Sequence, residues 1–254
     1  MEEITGIIIQ ARTGSTRLPN KVLLRLQGKS VLERVVQRVR ESRKIDKVVI
    51  ATTTQKKDDR IVNICKKLNI DYFRGSENDV LDRYYQAVKL FGVDSIVRIT
   101  ADCPMIDPDI IDKVIDLYKK EKLDYASNVI PPTFPDGLDV EVFSQKALKK
   151  SWKEAKLKSE REHVTVYMWR NPRLFKQNHL KNKVNLSDRR WVLDGPKDYE
   201  FMKRVYDKLY LNNHNFRMND LLKFFMKNPE IEKINKGTKR NEGLKRSLKE
   251  DKIL

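Results

Sequence analysis

Apolar residues along the first two-thirds of the chain alternate between short continuous runs and helical spacing. Residues 4–10 hold the run Ile7, Ile8, Ile9 and predict a buried strand. Residues 30–41 set Val31, Leu32, Val35, Val36 and Val39 on one side of a helix, and Ser30 with Glu33 has the spacing of a capping box at its start. The same alternation predicts strands over 47–52, 71–74 and 95–100, and helices over 58–68, 79–91 and 108–120. Pro108 suits the first turn of the last of these. Repeated strand–helix–strand units imply an α/β fold with a mostly parallel sheet and helices on both faces. Ligands in such sheets gather at the carboxyl ends of the strands, so the loops 11–21, 52–58 and 101–107 are candidates before any motif is considered.

The remainder is less regular. Residues 130–137 form a turn-rich loop. Strands are expected over 138–143 and 190–193, and helices over 144–154, 160–169, 196–210 and 219–227. The last ~20 residues, rich in Lys, Arg, Glu and Asn, are expected to fray or to form surface helix.

Composition narrows the class. A chain of 254 residues with 39% hydrophobic content can bury a sizeable core without crosslinks. No apolar run reaches the roughly 18 residues of a membrane span, and the acidic start Met-Glu-Glu-Ile is unlike a signal peptide. The cysteines, Cys65 and Cys103, have neither metal spacing nor a disulfide framework and fit a reducing cytoplasm. Cys65 shares a helix face with Ile61, Ile64 and Leu68 and reads as core. A net charge of +17 raises nucleic acid as a partner. The lysines are spread along the whole chain with few aromatics among them, so a solvated surface with one local anion site is the favoured reading.

Three segments carry candidate chemistry. The loop after the first strand, Gln10-Ala11-Arg12-Thr13-Gly14-Ser15-Thr16-Arg17-Leu18-Pro19-Asn20-Lys21, brings Arg12, Arg17 and Lys21 together around Gly14 and Ser15. Backbone N–H groups, hydroxyls and cations in such a loop can wrap a polyphosphate, although the Gly-Lys-Ser/Thr ending of a P-loop is missing. An ordinary polar strand-to-helix connection is the alternative. Asp102 ends the strand over 95–100 and is either a Mg2+ ligand or a turn cap. Asp194 ends a second apolar run ahead of Pro196, where a helix N-cap is the simpler reading. Cys103 has no histidine near it in sequence to make it a nucleophile.

These residues resemble a family. The strings IIIQARTGSTRLPNKVL and GKSVLERVVQRV, then VVIATTTQKKDDRIV, FRGSENDVLDRYYQA, VRITADCPMIDP, PDGLDVEVFS, REHVTVYMWRNP and VLDGPKDYEF, resemble the cytidylyltransferase family in family order. That family includes CMP-Kdo and CMP-acylneuraminate synthetases, and PPTFPDGLD and REHVT are most similar to its spore-coat polysaccharide branch.

The resemblance implies a three-layer Rossmann-like nucleotidyltransferase fold, Mg2+ as cofactor, and a homodimer. It implies one domain over 1–227, with 125–190 serving the acceptor site and dimerisation, and a charged tail over 228–254. Arg12, Ser15, Arg17 and Lys21 match the phosphate signature, within a nucleotide site that also takes in Ala11 and Gly14. Ala51 and Thr52 match the strand end beside the base. Asn78, Asp79 and Arg83 border the nucleotide pocket, and Asp102 and Asp194 match the magnesium-binding aspartates. Asp136, Asp139 and Glu141 match a segment near the acceptor, and His163 is read either as packing or dimer-interface histidine, or as acceptor contact or base.

The expected reaction is transfer of CMP from CTP to a sugar acid, with Arg12, Arg17, Lys21 and Asp102 as the catalytic group and neither nucleic acid nor membrane as partner. A nucleotide-sugar-dependent glycosyltransferase could share the layered fold, but often shows an Asp-x-Asp motif where this chain has Asp102 alone. A nucleic-acid-binding protein is the second rival.

Overall fold

The three isoleucines of the opening strand divide the molecule into layers. Ile7 and Ile9 point into one apolar cluster and Ile8 into the other, as the period of two along a strand requires. The computed structural model describes residues 2–238 and 240–253.

In chain order the elements are β1 (Thr5–Gln10), β2 (Arg25–Leu26), β3 (Lys29–Ser30), α1 (Val31–Val39), β4 (Lys47–Thr53), α2 (Asp59–Lys67), β5 (Asp71–Gly75), α3 (Val80–Phe91), β6 (Ser95–Thr100) and α4 (Pro108–Glu121). They continue with β7 (Tyr125–Ser127), β8 (Glu141–Ser144), α5 (Gln145–Glu154), α6 (Lys158–Glu162), α7 (Val166–Arg170), β9 (Gln177–His179), α8 (Pro196–Val205), α9 (Met218–Lys227), α10 (Pro229–Glu232) and α11 (Glu242–Lys249).

Seven strands form the main sheet in the order β5-β4-β1-β6-β8-β7-β9, and β2 pairs β3 as a short ribbon. β1 lies inside the sheet, parallel to both neighbours, with Ile8 opposite Val49 on one side and Arg98 on the other. β8 runs antiparallel to β6 and β7. Helices α1, α2, α4, α8 and α9 supply one apolar layer, and α3, α5 and α7 the other. The expected α/β three-layer architecture with a mostly parallel sheet is therefore present. The Ser30–Glu33 capping box is formed, with the Glu33 N–H donating to Ser30 Oγ at 3.2 Å and the Ser30 N–H to Glu33 Oε2 at 2.7 Å. Cys65 is fully buried in the core.

Three expected elements differ. The helix over 160–169 is two short helices, α6 and α7, interrupted where Val164 takes φ 59° and Thr165 turns its hydroxyl onto Glu141 at 2.6 Å. The strand over 138–143 is confined to β8. The strand over 190–193 reduces to a single bridge between Arg190 and Asp136. Beside that bridge Gly137 sits at φ 104°, and a Cβ there would meet the Trp191 carbonyl oxygen at 2.3 Å, so the two backbones approach too closely for a side chain. The strands β7 and β9, three residues each, are too short to leave a periodic signal.

Candidate active site

A cleft of about 1050 Å³ opens at the carboxyl ends of β1 and β6. Ladder bonds carry the sheet into its loops: the Ala11 N–H donates to the Ala51 carbonyl at 3.1 Å, and the Ala101 N–H to the Gln10 carbonyl at 3.1 Å. Arg12, Arg17 and Lys21 all reach the cleft wall. Gly14 and Ser15 lie outside that wall and shape the loop. The Ser15 N–H donates to the Thr13 carbonyl at 2.9 Å, the Leu18 N–H to Ser15 Oγ at 3.4 Å, and the Asn20 N–H closes back onto the Thr13 carbonyl at 3.1 Å.

What fixes this loop is Asp58, which is fully buried. One carboxylate oxygen accepts from the Thr13 N–H at 2.8 Å and from the Thr13 hydroxyl at 2.6 Å, and the other accepts from Thr53. An aspartate at a helix start reads as an ordinary cap, so nothing in the sequence marked it. The loop 52–58 thus supports the site from below. Ala51 and Thr52 are likewise buried beneath it and outside the wall.

Lys21 joins two distant aspartates. Its ammonium donates to Asp102 Oδ2 at 2.6 Å and to Asp194 Oδ1 at 3.2 Å, so the two carboxylates are close neighbours. Burial works against charge on Lys21, yet the two aspartates overcome it and raise its pKa. Burial likewise opposes ionisation of Asp102, and Lys21 reverses it, holding that carboxyl below its ordinary value. Arg17 pairs with Asp194 on one side and lies 3.2 Å from Glu242 on the other, and Arg12 lies 3.6 Å from Glu77.

Asp194 reaches this point by two devices. The Leu193 N–H donates to the Asp102 carbonyl at 2.9 Å, tying 190–194 to the turn after β6. Asp198, in the first turn of α8, accepts from the Asp194 N–H at 3.0 Å and the Gly195 N–H at 2.8 Å while its carboxylate receives the fork of Arg190 at 2.9 and 3.0 Å. The N-cap of α8 is therefore Gly195, which leaves the Asp194 side chain to the cleft. Asp198 was also unmarked in the sequence; its only signal is its place three residues after Gly195.

Asn78, Asp79 and Arg83 line the cleft around the start of α3. Asp79 caps that helix, accepting from the Asp82 N–H at 2.9 Å. Arg83 is buried, and its Nε and Nη1 find no hydrogen-bond partner among the described residues. A buried guanidinium with open donors on a cleft wall is suited to an anionic or carbonyl oxygen.

At the other end stand Asp136, Asp139, Glu141 and His163, all on the wall. Glu141 pairs with Arg98 and accepts from the Tyr125 hydroxyl at 2.6 Å. Asp136 lies 3.2 Å from Arg190. Asp139 pairs with Arg240, yet burial, with Asp136 and Glu141 nearby, pushes its carboxyl up to about 7. Burial lowers His163 to about 4, so its imidazole is neutral, with Nε2 3.0 Å from Ser247 Oγ. Burial and the adjacent Asp102 raise the Cys103 thiol, which makes a thiolate nucleophile there unfavourable.

The tail beyond residue 227 closes this side. Ile231 is buried in the core, and Asn241, Glu242, Gly243 and Leu244 form part of the cleft wall. No described helix is long and apolar enough to cross a membrane.

The cytidylyltransferase family model matches residues 6–231. The chain is 44% identical over 232 residues to an uncharacterized protein of Methanocaldococcus jannaschii, covering 90% of this chain and 93% of that one. It is 35% identical over 208 residues to the spore coat polysaccharide biosynthesis protein SpsF of Bacillus subtilis, covering 79% and 85%. The solved structure of a cytidylyltransferase from Leptospira borgpetersenii superposes with a TM-score of 0.87 at 36% identity, over 94% of this chain and 100% of that one. The chain belongs to the cytidylyltransferase family as a CTP-dependent nucleotidyltransferase.

Proposed function

We propose that the protein transfers CMP from CTP to a hydroxyl of a sugar acid of the nonulosonic type, releasing pyrophosphate, in the building of a surface polysaccharide or glycan. The observation that carries this reading is the convergence of Asp102 and Asp194 on Lys21, beside Arg12 and Arg17. The acceptor oxygen bonds to the α-phosphorus as the bond from that phosphorus to the α–β bridging oxygen breaks, and the electron pair leaves with pyrophosphate. Arg12, Arg17 and Lys21 stabilise the charge that grows on the leaving group. Asn78, Asp79 and Arg83 flank the nucleoside, while Ala11, Gly14, Ser15, Ala51 and Thr52 shape the loop and floor beneath it.

Two carboxylates fit Mg2+, which commonly takes one or two such ligands and completes its shell with phosphate oxygens and water. Asp102 and Asp194 would hold the ion, and when bound it supplies positive charge to the phosphates. Asp136, Asp139, Glu141 and His163 face the acceptor. Asp139, titrating near 7, has the proton affinity suited to take up the hydroxyl proton. Residues 125–190 belong to the acceptor site and to a homodimer contact within a 1–227 domain, a contact that solution molar mass tests.

A glycosyltransferase has less support, since Asp102 alone ends β6 and the matching family is cytidylyltransferase. The deciding experiment supplies Mg2+, each of the four nucleoside triphosphates and a panel of nonulosonic acids, and assays pyrophosphate. Release from CTP with one acid supports the proposal. No pyrophosphate from CTP with any acid, together with turnover of an added nucleotide sugar, would sink it.

A further inference from the structure

The family match ends at residue 231, yet the chain continues across the mouth of the cleft. Several contacts among the described residues fasten the tail. Arg240 pairs with Asp139 and donates to the Phe134 carbonyl at 2.8 Å. Ser247 donates to Glu162 at 2.9 Å. Asp251 accepts from the Ser159 N–H at 2.9 Å and hydroxyl at 2.7 Å. Held this way, the start of α11 sets Glu242 Oε2 3.2 Å from Arg17 Nη1, while Asp194 takes the opposite nitrogen.

A carboxylate and a phosphate oxygen compete for the same guanidinium donors. We propose that Glu242 is a resident counter-ion of the phosphate end. It occupies Arg17 in the ligand-free protein, yields it to the outer phosphates of a bound triphosphate, and takes it back as pyrophosphate leaves. The proposal rests on the reading that Arg17 receives the triphosphate. Both partners are nearly half-exposed, at 44% and 46%, so the pair is weak enough to exchange. Once Arg17 turns to phosphate, Glu242 faces a like charge, and the start of α11 loosens from the cleft.

Calorimetry with Mg2+ present measures the affinities for CTP, pyrophosphate and CMP. Glu242→Gln should tighten CTP and pyrophosphate about two- to fivefold, the range of an exposed ion pair, and leave CMP unchanged because it lacks the outer phosphates. In the unsubstituted protein, CTP should speed tryptic cleavage after Lys245 and Arg246. Glu250→Gln, an exposed change on the same segment, serves as the control. If Arg17→Ala weakens CTP while Glu242→Gln leaves it unchanged, the counter-ion role fails and the triphosphate reading stands. If Arg17→Ala leaves CTP affinity intact, both fail together. Weaker CTP binding in Glu242→Gln, with the tail protected by nucleotide, also overturns the proposal, since Glu242 would then belong to the bound complex.

Discussion

The two ends of the cleft are built by different means. The end that holds Arg12, Arg17 and Lys21, the proposed phosphate end, follows directly from buried parallel strands, and its first residues remain in the sheet's hydrogen-bond ladder through Ala11 and Ala101. The opposite end, the proposed acceptor end, draws a residue or two from each of several separate segments, held by the ion pairs Arg98–Glu141, Arg190–Asp136 and Arg240–Asp139. A ladder fixes geometry through backbone, whatever the side chains. Ion pairs between segments depend on side chains alone. Substitution can therefore remodel the proposed acceptor end while the backbone of the other end stays in place.

That contrast breaks most sharply at Lys21. Lys21→Ala removes the cation shared by Asp102 and Asp194. Pyrophosphate release should fall by on the order of 10²–10³, the usual loss for one transition-state contact, in a variant whose thermal transition stays cooperative. Near-normal turnover in the folded variant would dissolve the phosphate end as a catalytic unit. Asp102→Asn comes next. Asp194 remains, so the expected loss is on the order of 10², and the magnesium concentration giving half-maximal rate should rise. An unchanged magnesium response would remove Asp102 from the metal's shell.

Asp58→Ala probes the ladder side without touching the cleft. The Thr13 N–H and hydroxyl lose their buried acceptor, which costs about 1–3 kcal/mol per unsatisfied group, visible in denaturant unfolding. If the two ends are separately built, CTP affinity weakens while the KM for the acceptor holds. A parallel loss of both would show that the cleft behaves as one piece.

The same division governs how much was legible beforehand. The strands β1, β4 and β6, their helices and the Arg12–Lys21 loop follow from apolar rhythm and from residues close in sequence. Asp102 was readable as the end of a strand, although its partnership with Lys21 was not. Asp58, Asp198 and Arg240 left almost no signal, because each acts through a contact more than forty positions away or through a cap that looks routine. The break at Val164 was hidden for a related reason: a tertiary bond from Thr165 to Glu141 outweighs local helix propensity. The tail's polar composition suggested a solvated surface, whereas its charges are spent on Arg17, Asp139 and Ser159.

The last expected effect lies at the proposed acceptor end and is read by pH. Burial, beside Asp136 and Glu141, lifts the Asp139 carboxyl from its ordinary value of 3.8 to about 7. The folded protein therefore keeps a proton between these values that the unfolded chain has released. Proton uptake favours the folded state below this window, and that contribution is lost as pH rises through 7. Asp139→Asn removes the titration. Its stability relative to the unsubstituted protein should then climb from pH 4 to pH 7 and level off above, as followed by urea midpoints. The proposed phosphate end should not register the change, because Lys21 holds the Asp102 carboxyl below its ordinary value. CTP affinity in Asp139→Asn should accordingly keep the pH dependence of the unsubstituted protein. A CTP affinity that shifts with Asp139 would mean that the two ends share one electrostatic unit, and the separation argued from ladder and ion pairs would fail.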